Sequence, residues 1–121
     1  MSNYLYWIAL EQSKGMGPVS LERVYSDIST FGLELYDLFE LSQNELTGEF
    51  SFSNEILNAF LEAKKNIINI EKDYFTLLDH GFEVIPFFSS YYPKLLIERL
   101  AKSFPPILYA YGNVELLHKS A

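Results

Sequence analysis

From Ser53 or Asn54 up to His80-Gly81 the chain carries Ile56, Phe60, Ala63, Ile67, Ile70, Tyr74 and Leu78, an apolar residue at almost every turn of a helix. Apolar side chains three or four residues apart share one helical face, so the segment predicts one long amphipathic helix. Ser53 or Asn54 supplies its N-cap, and His80-Gly81 its end. Such a helix needs other elements to cover its stripe. It is the scaffold's spine, and the remaining segments are what can be laid against it.

Three shorter helical patterns precede it. Tyr4, Leu5, Ile8 and Ala9 have helical spacing up to Gln12, where the breakers Ser13-Lys14-Gly15-Met16-Gly17-Pro18 begin. Val19, Leu21, Val24, Tyr25 and Ile28 then recur at intervals of three and four up to Phe31-Gly32, with Pro18 suited to the first turn. Leu35, Leu38, Phe39 and Leu41 make a shorter pattern. Ser42 with Glu45 is a capping-box signature, so a brief helix starts there and is expected to end by Gly48.

Past Gly81 the period changes. Phe82-Glu83-Val84-Ile85-Pro86 and Ile107-Leu108-Tyr109-Ala110-Tyr111 are short, β-rich and bounded by proline or glycine, hence two strands. Leu95 to Lys102 is helical in spacing, and Asn113 caps a last fragment, Val114 to Lys119. The organisation expected is residues 1–81 as a helical part and 82–121 as strand, helix, strand and helix, packed on the first part. Two strands alone are marginal in water, so the second part is expected to continue beyond Ala121.

Nearly half the residues are apolar and 17% are aromatic, a composition that folds. The formal charge of -7 argues against a domain whose main work is gripping nucleic acid. Without cysteine there is no disulfide, thiolate metal site or thiol nucleophile. The N-terminus lacks the basic start of a signal peptide, and no apolar run reaches the ~18 residues of a membrane span. A cytoplasmic protein without membrane contact is expected.

Gly15-Met16-Gly17 has the form of a helix-hairpin-helix turn, in which glycines allow a tight bend and amides at the next helix start face a phosphate. Lys14, Gly15 and Gly17 are the candidate phosphate contacts, with Arg23 on the helix that follows. Against this, Glu11, Glu22 and Asp27 crowd the region, and the glycines serve a plain αα-hairpin equally well. The chain has no HExxH, Walker loop, GxGxxG or ordered Ser/His/Asp set, so neither catalysis nor a metal or other cofactor is expected. His80 reads as a helix C-cap, and His118 has no partner in sequence. Glu62, Lys64-Lys65 and Glu71-Lys72-Asp73 read as the solvated face of the long helix.

Tyr92-Pro93, Leu96, Pro105-Pro106, Leu108-Tyr109 and Gly112 form the most specific pattern. Pro93 starts a helix, Pro105-Pro106 fixes an extended approach, Leu108 and Tyr109 sit in a strand and Gly112 permits the exit turn. Their order resembles the segment leading into the Rossmann-like domain of DprA/Smf DNA-processing proteins. Trp7-Ile8-Ala9-Leu10, the glycine hairpin, Leu21 and Phe31-Gly32 resemble that family's opening helices. Ser89 and Ser90 stand where the family commonly has an acidic residue.

The resemblance implies a mainly α chain with a small α/β C-terminal part: a SAM-like helical bundle, then the first strand-helix-strand elements of a truncated Rossmann-like domain. It implies a parent protein that binds single-stranded DNA during natural transformation and loads a RecA-type recombinase, with this region as a non-enzymatic accessory module. The alternative is a module for protein contact or homodimer formation with no DNA contact of its own. On that alternative, Phe87, Phe88, Tyr91 and Tyr92 are expected to be exposed and adhesive.

Overall fold

The computed structural model describes residues 4–50, 52–100 and 103–111. Among them run helices α1 (Leu5–Glu11), α2 (Pro18–Phe31), α3 (Leu35–Phe39), α4 (Gln43–Phe50) and α5 (Asn54–Asp79), then strand β1 (Phe82–Pro86), helix α6 (Lys94–Leu100) and strand β2 (Ile107–Tyr111). The fold is mainly helical with a small two-stranded antiparallel sheet at its C-terminal side. Gly112, Asn113, the 114–119 fragment and His118 lie outside the described residues.

The spine is α5. The Ser53 hydroxyl accepts from the Ile56 amide at 3.4 Å and opens the helix. The His80 amide donates to the carbonyls of Thr76 and Leu77, and its Nδ1 lies 2.7 Å from the Thr76 oxygen. That carbonyl can only accept, so His80 is a C-cap that donates with its ring. Ile56, Ala59, Phe60, Ala63, Ile70 and Tyr74 point inward and are buried.

Helix α1 lies along α5 and buries five of its seven residues, Leu5, Trp7, Ile8, Ala9 and Leu10. A short helix this apolar on nearly every side belongs in the middle of a core. Leu10, Val24, Leu38, Leu46 and Phe60, drawn from α1 to α5, are each 0% exposed. Side chains of this size contribute about 1.5–3 kcal/mol apiece when removed from water.

The caps are mostly those the residue types dictate. Gly32 ends α2 in the left-handed region at φ 69°, and Ser42 and Glu45 exchange amide bonds of 3.1 and 3.2 Å as a capping box. Helix α4 does not stop at Gly48. It continues to Phe50, whose buried ring stacks on Phe52 at 5.2 Å and meets the edge of Phe31. Aromatic burial outweighs the roughly 1 kcal/mol that a helical glycine costs.

Strands β1 and β2 pair antiparallel from Phe82 opposite Tyr111 to Pro86 opposite Ile107. A Rossmann βαβ unit would instead place its strands parallel, so this pair is a long-looped hairpin and not a crossover. Residues 87–106 leave and return at the same end, where the Phe87 amide donates to the Pro106 carbonyl at 2.8 Å. Val84, Ile85, Phe87, Tyr92, Phe104 and Ile107 join the same buried cluster as the helices. The described part of the segment after Gly81 packs on the bundle as expected, with β1 against α5.

Candidate functional site

Two places bear on function, the glycine hairpin and a groove nearby. In the hairpin, the Ser13 hydroxyl donates to the Ala9 carbonyl at 2.9 Å and its carbonyl accepts from the Met16 amide at 3.3 Å. Gly15 adopts φ 88°, where an L side chain is strained, whereas Gly17 is an ordinary extended N-cap at φ -103° before Pro18. Only one of the two glycines needs to be glycine for its backbone.

The amide of Lys14, the first of the hairpin, already donates to Glu62 Oε2 of α5 at 3.0 Å. Glu55, two turns earlier on α5, lies beneath Gly15: a Cβ built on that glycine comes 3.8 Å from the Glu55 Cβ. The hairpin is thus seated on the Glu62 carboxylate, with the stem of a second glutamate, Glu55, against Gly15. An anion arriving there must displace Glu62.

Arg23 points elsewhere: its guanidinium meets Asp27 at 3.4 Å, reaches the Phe50 carbonyl at 3.4 Å and lies 5.9 Å from the centre of the Phe52 ring. Glu62 is therefore not simply part of a solvated face. Neither is Lys64, whose Nζ donates at 3.1 Å to the Leu41 carbonyl just after α3.

The C-terminal motif residues form a junction. The buried Tyr92 hydroxyl donates to the Pro105 carbonyl, and the Pro93 carbonyl accepts from the Leu96 amide as α6 begins. Leu96 and Leu108 pack partly buried against the core, while Tyr109 is exposed on β2. Pro105 and Pro106 supply the carbonyls that tie residues 87–106 closed.

The groove is about 720 Å³, open to solvent, and lined by Tyr4, Tyr6, Trp7, Glu34, Leu35, Tyr36, Phe88 and residues 89–91. Its floor is a set of interlocked rings. Phe88 stacks on Tyr25 at 4.5 Å with planes 9° apart and tilts against Trp7 at 5.0 Å. Tyr6 meets Tyr36 at 5.3 Å and Phe39 at 4.9 Å. The Tyr36 hydroxyl bonds Glu40, whose hydrogen bond and charge hold the phenol above its ordinary range.

The expected adhesive set is corrected here. Phe87 and Tyr92 are buried, at 7% and 1% exposure, because the Trp7, Tyr25 and Phe104 rings cover them. Phe88 and Tyr91 remain, as one wall of the groove. The sequence held the signal in two aromatic clusters, at 4–7 and at 87–92, and in Tyr36, but not their convergence.

Among the described residues no three His, Cys, Asp or Glu side chains come together as a metal ion requires, and no helix is long and apolar enough to cross a membrane. Compared with protein-family models, curated proteins and solved structures, the chain matches none. The DprA/Smf likeness rests on the order of motifs in the sequence.

Proposed function

We propose that this region is the N-terminal accessory module of a DprA/Smf-like DNA-processing protein and works by docking a protein, not by gripping DNA or by catalysis. The observation that carries the reading is the aromatic groove with Glu34 among its lining residues. A groove lined by tyrosine, tryptophan and phenylalanine with a glutamate among them suits a cationic side chain flanked by apolar ones, and aromatic pockets are where binding energy concentrates. The net charge of -7 favours a basic partner segment. The resemblance supplies the partner class, a RecA-type recombinase. Single-stranded DNA would be held by the Rossmann-like part of the parent protein. Cytoplasmic residence follows from the same role.

The hairpin supports this division of labour, since its first amide is satisfied by the Glu62 carboxylate. The test is fluorescence anisotropy of the labelled chain against a RecA-type recombinase and against single-stranded DNA at two salt concentrations. Binding to the recombinase, weakened at least ~10-fold by Glu34→Lys, and no salt-dependent binding to DNA are expected. DNA binding with a salt slope that Lys14→Glu reduces would overturn the reading in favour of a DNA-contacting hairpin.

A further inference from the structure

The lining of the groove also bears on which cation it takes, an inference that rests on the docking role proposed above. Six of the lining residues are aromatic, Glu34 is the one charged side chain, and no lysine or arginine is among them. Acceptor oxygens come from three separate elements: Glu34 and Tyr36 at the start of α3, Tyr4 and Tyr6 at the start of α1, and Ser89 and Ser90 in the turn after β1. The Tyr36 phenol is raised first by its hydrogen bond to Glu40 and by that carboxylate's charge, and Tyr6 and Asp37 add to the effect. Every charged neighbour acting on it is an acid. Among the described residues no cation pairs with Glu34 or Glu40, the ion pair present being Arg23 with Asp27.

Three kinds of cation meet such a lining differently. A primary ammonium is a compact, strongly hydrated point charge, and rings do not replace the water it gives up. A quaternary ammonium suits a cage of rings but donates nothing. The oxygens of Glu34, Tyr36 and Ser89 would then lose water with no bond in return. A guanidinium is weakly hydrated, stacks on aromatic rings, and carries five donors in its plane that reach acceptors on several sides at once. It alone uses both the rings and the dispersed oxygens.

We infer that the groove anchors an arginine side chain of the partner, its guanidinium beside the Tyr36 ring, which is 50% exposed, and its charge answered by Glu34. The size of the groove says in what form the arginine arrives. A volume of about 720 Å³ is that of sites which bury a whole drug-sized molecule. One guanidinium leaves most of it empty, so the arginine comes within a peptide segment and not as the free amino acid. Apolar residues next to it in that segment lie on the wall made by Phe88 and Tyr91.

The test is an NMR titration of the whole chain, isotopically labelled at its amides, with acetyl-Leu-Arg-Leu-amide. The same peptide is then used with lysine, trimethyllysine or citrulline in place of the arginine, and free arginine is titrated beside them. The arginine peptide should bind at least ~10-fold more tightly than any of the other four and should move the amides of Glu34, Tyr36 and Ser89. Glu34→Gln should bring the arginine peptide down to the level that the citrulline peptide has on the wild type. Tyr36→Leu should narrow the gap between arginine and lysine.

A lysine peptide as tight as the arginine one would overturn the assignment, leaving a plain cation site. A trimethyllysine peptide tighter than both would overturn it in favour of a cage of rings alone, and free arginine as tight as the peptide in favour of a site for the free amino acid. Recombinase docking is titrated separately. If the recombinase binds and Glu34→Lys weakens it while no peptide prefers arginine, the inference falls and the docking role stands. If the peptides prefer arginine and the recombinase does not bind, the arginine site stands and the recombinase is the wrong partner.

Discussion

The Tyr92 hydroxyl donates its proton to the carbonyl of Pro105, joining the two ends of the segment that carries the strongest sequence motif. The ring is 1% exposed, and burial holds its phenol above the ordinary value of 10.0. Tyr92→Phe keeps the packing and removes the bond. It should cost about 1 kcal/mol, or roughly 4–8 °C in melting temperature. Because the native state retains a proton that the unfolded chain loses, wild-type stability should hold below about pH 10 and fall as the pH climbs through the raised pKa. Tyr92→Phe should show a shallower alkaline loss, measured by thermal unfolding across pH 8 to 11.

The pattern around Tyr92 was readable in sequence because proline and glycine punctuate it and the strands are β-branched and aromatic. The same is true of α5 and α2, where an apolar period and a cap residue agree. Partners set by tertiary approach were not readable. Nothing along the chain says that Glu62 passes under Lys14 or that Lys64 reaches Leu41. The groove draws on residues near 4–7, 34–36 and 88–91, and only the assembled bundle brings them together. Phe87 and Tyr92 were misread because their covers, Trp7, Tyr25 and Phe104, come from the bundle or from the far side of α6.

The two hairpin glycines should respond differently to the same substitution. At Gly15 the positive φ of 88° penalises any side chain, although the nearest obstacle is 3.8 Å away. Gly15→Ala should cost about 1–2 kcal/mol from backbone strain alone. At Gly17 nothing lies within 4 Å and the conformation is extended, so Gly17→Ser, a better N-cap, should be neutral or slightly stabilising. Urea unfolding of both variants checks this. Equal losses would mean that Gly17 is needed for something other than its backbone.

Glu11 closes α1, and burial raises its carboxyl above the usual 4.5. A carboxylate at a helix C-terminus also opposes the dipole, by about 0.3–1 kcal/mol. The native state therefore takes up a proton at Glu11 more readily than the unfolded chain does. The stabilisation is complete below about pH 4.5 and is lost as the pH rises through the raised pKa. Glu11→Gln should melt higher than wild type at pH 7, with the gap closing towards pH 4. A gap independent of pH would show that charge is not the cause.

If Glu62 is what withholds the Lys14 amide from anions, removing that acceptor should release it. Glu62→Ala takes away the acceptor of the Lys14 amide, and Glu55→Gln added to it removes the charge of the neighbouring glutamate. The amide then meets solvent beside the exposed Lys14 side chain, an arrangement suited to phosphate. The double variant should acquire weak single-stranded DNA binding that falls with salt and disappears when Lys14→Glu is added, read by anisotropy at 50 and 200 mM salt. A variant as inert as wild type would show that the hairpin lacks an anion site even with its amide free. The two glycines would then serve only to turn the chain.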